Sequence, residues 1–187
     1  MKLFLKMNAW QLFALLFASH FLMMAVGMVG GGPRWMFTVL PIAMLVFLAV
    51  FMAWFWSLGI NLNRKVPDEI RPSPRFFRFG MTYSSVYMLF LLSFVVLTAS
   101  DSGSHRLFAL IVPFHLFAMA CIFYALYFIA KNFVMAERKQ TVGFYDFAEP
   151  FFLIWMYPIG VWFIQPRVNR MFQDEMNTQQ RDELDKK

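Results

Sequence analysis

Two histidines, His20 and His115, are the side chains best suited to chemistry inside an apolar helix of this sequence. His20 lies nine residues before Val29, and His115 lies eight residues after Leu107. At about 1.5 Å per residue, both would lie roughly 12–14 Å from the same end of two antiparallel helices. Two imidazoles on facing helices can ligate the iron of a b-type haem. The spacing allows haem b, or a quinone, between His20 and His115. The alternative is that each neutral imidazole hydrogen-bonds a neighbouring hydroxyl or carbonyl group.

Other patterns that could do chemistry are weak. The long apolar segments contain no Asp, Glu, Lys or Arg, although proton relays and ion-coupled transporters carry such groups near the membrane midplane. Ser84, Ser85 and Ser93 have no histidine or lysine at helical spacing that would activate them as nucleophiles. The single cysteine, Cys121, provides neither a disulfide nor a cysteine-ligated metal site. We therefore predict a protein without a catalytic residue or a metal site, and the sequence favours a function other than catalysis.

The elements that position these residues follow from composition. The 187 residues are 60% apolar and 20% aromatic, more than soluble domains of this size contain. Four apolar runs of at least about 19 residues are each long enough to cross a hydrocarbon core roughly 30 Å thick as a helix. They cover residues 9–29, 35–60, 81–99 and 107–130. The sequence predicts an all-α integral membrane protein whose residues 1–131 form an up-down bundle of four transmembrane helices.

The basic residues predict the orientation of the bundle. With the N-terminus inside, ten basic residues lie on the cytoplasmic side, and only Arg34 and Arg106 lie in the two outer loops. The ten are Lys2, Lys6, Arg64, Lys65, Arg71, Arg75, Arg78, Lys131, Arg138 and Lys139. This bias predicts cytoplasmic N- and C-termini. It also explains the net charge of +6 by topology, so no nucleic-acid partner is expected.

The loop between the second and third predicted spans is strongly basic. Its five basic residues are Arg64, Lys65, Arg71, Arg75 and Arg78. They are candidate contacts for membrane lipid or a cytoplasmic partner, because each Lys or Arg near an anionic leaflet contributes about 1 kcal/mol. The alternative is that these charges only set the topology.

The last third of the chain contains a shorter apolar segment. Residues 151–164 would form a helix about 21 Å long, which is short of the hydrocarbon core. Pro158 is expected to kink this helix and Pro166 to end it. A crossing would also carry Arg167 and Arg170 to the outer side, against the charge bias. These features predict a re-entrant or in-plane helix at 150–165, followed by an amphipathic tail, within a cytoplasmic-side segment over 132–187.

Three further features describe this predicted helix. Pro150 suits a first helical position, and Glu149 or Asp146 could cap the free amide groups. Trp155 and Trp162 are seven residues apart and share a helix face. Tryptophan favours the membrane–water boundary, so Trp155, Trp162 and the nearby Arg167 and Arg170 are candidate contacts for a partner or for lipid.

The same third of the chain carries a recurring sequence pattern. Tyr127-Phe-Ile-Ala-Lys131, Ala136-Glu137, Phe151-Phe-Leu-Ile-Trp155 and Pro158-Ile-Gly-Val-Trp162-Phe-Ile-Gln165-Pro-Arg-Val-Asn169 are its residues. It resembles a C-terminal pattern of small four-span membrane proteins of Bacteroidota-type bacteria, a family without an assigned activity. The resemblance implies a bacterial inner-membrane location and carries over no catalytic residue.

These observations support three functional hypotheses. The first is a non-enzymatic accessory or scaffold subunit of a larger inner-membrane complex, acting through helix contacts with other integral membrane subunits. The second is a redox subunit that holds haem b or quinone between His20 and His115. The third is a homo-oligomeric pore or membrane-active effector.

Overall fold

The computed structural model describes residues 3–30, 33–98 and 105–184, and the regular structure of these residues is entirely helical. Seven α-helices follow in chain order: α1 (Leu3–Lys6), α2 (Ala9–Gly30), α3 (Pro33–Lys65), α4 (Arg75–Thr98), α5 (His105–Arg138), α6 (Phe144–Trp155) and α7 (Tyr157–Leu184). A 3-10 turn at Asp68–Ile70 lies between α3 and α4. The prediction of an all-α fold is confirmed over the described residues.

Helices α2 to α5 lie over the four predicted spans. Within the described residues, two helical segments are long and apolar enough to cross a membrane, Pro41–Lys65 and Ile111–Arg138. In each segment, 33% of the residues in its most apolar 18-residue stretch are buried. The four-span bundle therefore stays a prediction. Two outer turns were predicted. Most of the turn at 100–106 and part of the turn at 30–34 lie outside the described residues.

The chain divides into two compact units. Unit 1 contains Met1–Ala14, Ser57–Pro72 and Ile129–Lys187, and unit 2 contains Leu15–Trp56 and Ser73–Phe128. These units group residues that contact each other. The predicted division after residue 131 instead separated the transmembrane bundle from the cytoplasmic-side segment.

In unit 2, α4 and α5 pack as an antiparallel pair. A Cβ atom added at Gly80 of α4 would lie 3.3 Å from Cys121 Cβ of α5. One turn later in α4, the Ser84 hydroxyl donates to the carbonyl of Ala118, at 3.4 Å. Contacts advance along α4 as they retreat along α5, so the two helices run in opposite directions. The missing side chain at Gly80 allows their close approach.

In unit 1, α6 packs against α7 through apolar residues at helical spacing. The buried apolar residues of the two helices are Phe147, Pro150 and Ile154 of α6 and Val161, Ile164 and Val168 of α7. Only Met156 separates the two helices. Its amide donates to the Phe152 carbonyl at 2.8 Å, and its own carbonyl accepts from Gly160 at 2.9 Å. These two hydrogen bonds connect Met156, which forms the corner between the helices, to both α6 and α7.

The predicted helix at 150–165 differs from the observed one in its bounds. The break falls at Met156, just before Pro158, where a kink was expected. The prediction that Pro166 ends the helix is wrong, because α7 continues through Pro166 to Leu184. Pro166 is exposed, and so is Trp162, whose carbonyl has no amide donor at position 166.

The start of α6 also lies earlier than predicted. Pro150 is inside the helix rather than at its first position, and Gly143 is the N-cap residue. Asp146 does cap the helix, because its carboxylate accepts from the Gly143 amide at 2.9 Å. It also pairs with Arg138 at 2.6 Å. The Gly143 amide and then the Arg138 guanidinium lower the pKa of Asp146 below its usual value.

Candidate functional site

The two predicted contact tryptophans lie on an exposed surface of unit 1, which we name the α6–α7 aromatic face. Its members are Phe152, Trp155, Met156, Ile159, Trp162 and Phe163, each between 42% and 57% exposed. They alternate along α6 and α7 with residues that are buried, such as Ile154, Val161 and Ile164. Exposed apolar side chains grouped in one part of the chain are typical of a site that contacts a protein or a membrane.

Trp155 and Trp162 occupy different environments on this face. The Trp162 ring packs against Trp10 and Phe13 of α2, with centroids 5.9 and 5.5 Å away. Trp155 packs at 6.0 Å against Phe152 of its own helix and leaves 51% of its surface exposed. Trp162 therefore contributes to folding of unit 1, and Trp155 offers the more available ring for an external contact.

A buried glutamine fixes α1 against α7. Gln165 is fully buried, and its Nε2 atom donates to the carbonyls of Phe4 and Met7 at 2.6 and 3.0 Å. Asn169 Nδ2 donates to the same Met7 carbonyl at 3.0 Å. The four-residue α1 is too short to be stable alone, so these side chains hold it in place. Sequence reasoning missed this role, and its only signal was a polar residue within an apolar helical stretch.

A second buried polar contact joins α3 to α5. Asn63 Nδ2 donates to Asn132 Oδ1 and to the Pro72 carbonyl, both at 2.9 Å. Asn63 is 4% exposed and Asn132 is fully buried. Each residue lies near the end of a segment that is apolar enough to span a membrane. The pair fixes the relative rotation of these two helix ends.

Three of the predicted basic contact residues are engaged within unit 1. Lys65 donates to the Met171 carbonyl, and its ammonium group lies 4.2 Å from the centre of the Phe172 ring. Arg71 pairs with Asp68 and donates to the Val66 carbonyl. Their contacts stabilise the polypeptide between α3 and α4 and the packing of α7.

Arg167 is the third engaged residue. Its guanidinium group makes two hydrogen bonds to the Glu137 carboxylate, at 2.6 and 3.0 Å. The same group lies 4.7 Å from the centre of the Phe133 ring. Arg167 therefore links α7 to α5, and its predicted role in an external contact stays untested.

The other four predicted basic residues are exposed. They are Arg64, Arg75, Arg78 and Arg170. No ion pair joins any of them to another residue that the structure describes. Arg75 and Arg78 lie in the first turn of α4, which also contains no acidic residue.

Comparisons with known proteins give no assignment. Neither a protein-family model, nor a curated protein, nor a solved structure matches this chain. The resemblance to the Bacteroidota-type family stays a prediction.

Of the two predicted haem ligands, the structure describes the side chain of His115 only. His115 Nδ1 lies 3.2 Å from the Tyr87 hydroxyl, across the α4–α5 pair. His20 is in α2, but its side chain lies outside the described part of the structure. The contact with Tyr87 supplies the kind of hydroxyl partner expected for a neutral imidazole. Among the described residues, no group of three His, Cys, Asp or Glu side chains could hold a metal ion.

Proposed function

We propose that this chain is a four-span inner-membrane protein with cytoplasmic termini that acts as a non-enzymatic accessory or scaffold subunit. The observation that carries the proposal is the α6–α7 aromatic face. Aromatic side chains bring large rigid apolar surfaces to an interface and dominate many binding energies. The partner is another integral membrane subunit, which contacts Trp155 and its exposed neighbours.

The exposure of the long apolar segments supports placement in a membrane. Only 33% of the residues in the apolar stretches of Pro41–Lys65 and Ile111–Arg138 are buried by the rest of the chain. Exposure of apolar surface to water costs roughly 25 cal/mol per Å². Lipid removes this cost while the helices satisfy their own backbone hydrogen bonds. A core helix of a soluble protein would instead be mostly buried.

The construction of unit 1 supports a contact role for the face. Gln165 and Asn169 hold α1, and Arg167 links α7 to α5 through Glu137. The rings are therefore presented by elements that are fixed by polar contacts. Preorganised surfaces lose less conformational entropy on binding, so they bind more tightly.

The first prediction concerns Trp155. We expect Trp155→Ala to reduce recovery of the co-purifying subunit by about tenfold or more, because loss of a central aromatic anchor typically costs 2 kcal/mol or more. Native mass spectrometry after extraction in a mild detergent would measure bound partner per chain. The unfolding temperature should stay close to that of the wild type, since about half of Trp155 is exposed.

A matched control is Phe90→Ala, which removes an exposed ring from α4, 55% exposed, outside the aromatic face. Partner recovery should not change in this variant. Wild-type recovery with Trp155→Ala, or a wild-type chain that carries no other protein, would contradict the proposal. A ring of identical copies would instead favour the homo-oligomeric pore.

A second candidate is a redox subunit that binds haem b or quinone between His20 and His115. The contact between Tyr87 and His115 Nδ1 favours it, because ligating histidines commonly engage their second ring nitrogen in a hydrogen bond. His115 Nε2 would then be the ligand atom. Haem would supply one-electron chemistry, and this chain would supply the axial nitrogen and its orientation.

The second prediction tests this candidate. Wild-type protein produced with added haem should show a haem absorption band, and His115→Leu should lose it. Tyr87→Phe should keep the band with a shifted reduction potential, because it removes only the hydrogen bond to the ligand. Absence of the band from the wild type would end the redox hypothesis without affecting the accessory-subunit proposal.

A further inference from the structure

The start of α4 combines two arginines, which pair with no acidic residue that the structure describes, with an adjoining apolar groove. Arg75 and Arg78 are three residues apart in the first turn and are both exposed. Like charges at this spacing repel each other. They also lie at the positive end of the helix dipole, which favours negative rather than positive side chains. A bound anion would relieve both effects.

Three other arginines of the chain have carboxylate partners. Arg71 pairs with Asp68, Arg138 with Asp146 and Arg167 with Glu137. Arg75 and Arg78 make no such pair with any described residue. Their charge is therefore available to a ligand in a way that the charge of the paired arginines is not.

The groove lies between α4 and α5 and has a volume of 280 Å³. Phe76 and Phe79 form its α4 wall, and Phe117, Ala120 and Cys121 form much of its α5 wall. Gly80 leaves it open where a larger side chain would meet Cys121. The lining is almost wholly apolar, so the groove is suited to a hydrocarbon chain.

The charges and the groove are adjacent in sequence and on the helix surface. Arg75 immediately precedes Phe76 and lies one helical turn before Phe79. The α5 wall belongs to Ile111–Arg138, a segment able to cross a membrane. Positive charge at one end of an apolar groove complements a phosphate joined to an acyl chain. A free phosphate ion would leave the groove unfilled.

We propose that one anionic phospholipid binds here, with its phosphate at Arg75 and Arg78 and an acyl chain in the groove. The site requires the chain to lie in a membrane, but it is independent of the accessory-subunit role. Phosphatidylglycerol is the probe, because it joins a net negative headgroup to two acyl chains.

The third prediction uses the full chain in a neutral detergent. Phosphatidylglycerol should raise the midpoint of thermal unfolding, whereas phosphatidylcholine and inorganic phosphate should not. The double variant Arg75→Gln/Arg78→Gln should bind phosphatidylglycerol about 30-fold more weakly, since each basic residue near an anionic surface contributes roughly fivefold. Both side chains are exposed and their charges repel each other, so the midpoint without lipid should stay the same or rise slightly.

Two further variants separate charge from groove. Arg64→Gln/Arg170→Gln removes the same charge from exposed positions elsewhere and should keep the response to phosphatidylglycerol. Ala120→Trp fills the groove without changing charge and should lose that response. An equal response to phosphatidylcholine or phosphate, or a wild-type response from Arg75→Gln/Arg78→Gln or Ala120→Trp, would overturn the proposal. Partner recovery by native mass spectrometry would report separately on the proposed function.

Discussion

Replacement of Gly160 by alanine will lower the midpoint of thermal unfolding. A Cβ atom at this position would lie 1.6 Å from the carbonyl oxygen of Leu153, a backbone atom that cannot rotate away. The corner between α6 and α7 would have to open, which would loosen the packing of Ile154 and Val161. Overpacking of this kind costs about 1–3 kcal/mol or more. Circular dichroism or tryptophan fluorescence of the detergent-solubilised chain would measure the shift.

The direction in which Gly160→Ala shifts the unfolding midpoint distinguishes two explanations. A clash with Leu153 would lower the midpoint, and the higher helix propensity of alanine would raise it. Gly160 is in the first turn of α7, and alanine is the better helix former by about 1 kcal/mol. Without the Leu153 contact, Gly160→Ala would therefore stabilise the chain. Gly143→Ser is the control, because a Cβ atom there would meet its nearest neighbour, Asp146 Oδ2, at an ordinary 3.6 Å. Serine is also a favoured N-cap residue, so the control should retain or gain stability.

The fifth prediction concerns the buried amide pair. Asn132→Leu should destabilise the chain by about 1–3 kcal/mol, because Asn63 then loses its acceptor on α5. Asn63→Leu should cost a similar amount, since it removes the hydrogen bonds that Asn63 donates to Asn132 Oδ1 and to the Pro72 carbonyl. The double variant should cost less than the sum of the two. Denaturation in detergent would give the three free energies of unfolding.

The coupling energy from this cycle should be about 0.6 kcal/mol and no more than about 1.7 kcal/mol, the average and the maximum for polar pairs between membrane helices. Asn61→Leu is the matched control. Its amide donates to the Ser57 carbonyl one turn earlier in the same helix, at 2.7 Å. Asn61→Leu combined with Asn132→Leu should therefore be additive. If the effects of the Asn63 and Asn132 substitutions were additive, the hydrogen bond between the two side chains would not contribute to stability.

Local signals were sufficient for some features of this fold. Runs of about 20 apolar residues predicted helices at the positions of α2 to α5, because backbone hydrogen bonding and exclusion from water act on each run separately. The region around Pro158 was predicted to bend, and the break at Met156 lies beside it. Trp155 and Trp162 were expected to share one helix face; both are exposed, but the break at Met156 assigns them to different helices.

The same local rules failed where the environment of a residue decided the outcome. Pro166 was expected to end a helix, but an exposed position lets α7 continue through it. Lys65, Arg71 and Arg167 were grouped with the other basic residues as candidate contacts. Each of the three also has partners within unit 1, and their external contacts stay a prediction.

The sequence by itself determined the helical class, the positions of α2 to α5 and the uneven distribution of positive charge. Only the tertiary structure brought Asn63 to Asn132, Gln165 to Met7 and Gly160 to the Leu153 carbonyl. Hydrophobicity and helical periodicity are set by residues within a few turns of each other. Contacts between distant residues depend instead on how each helix is rotated and offset against its neighbours, and that choice is made by the packing of the whole chain.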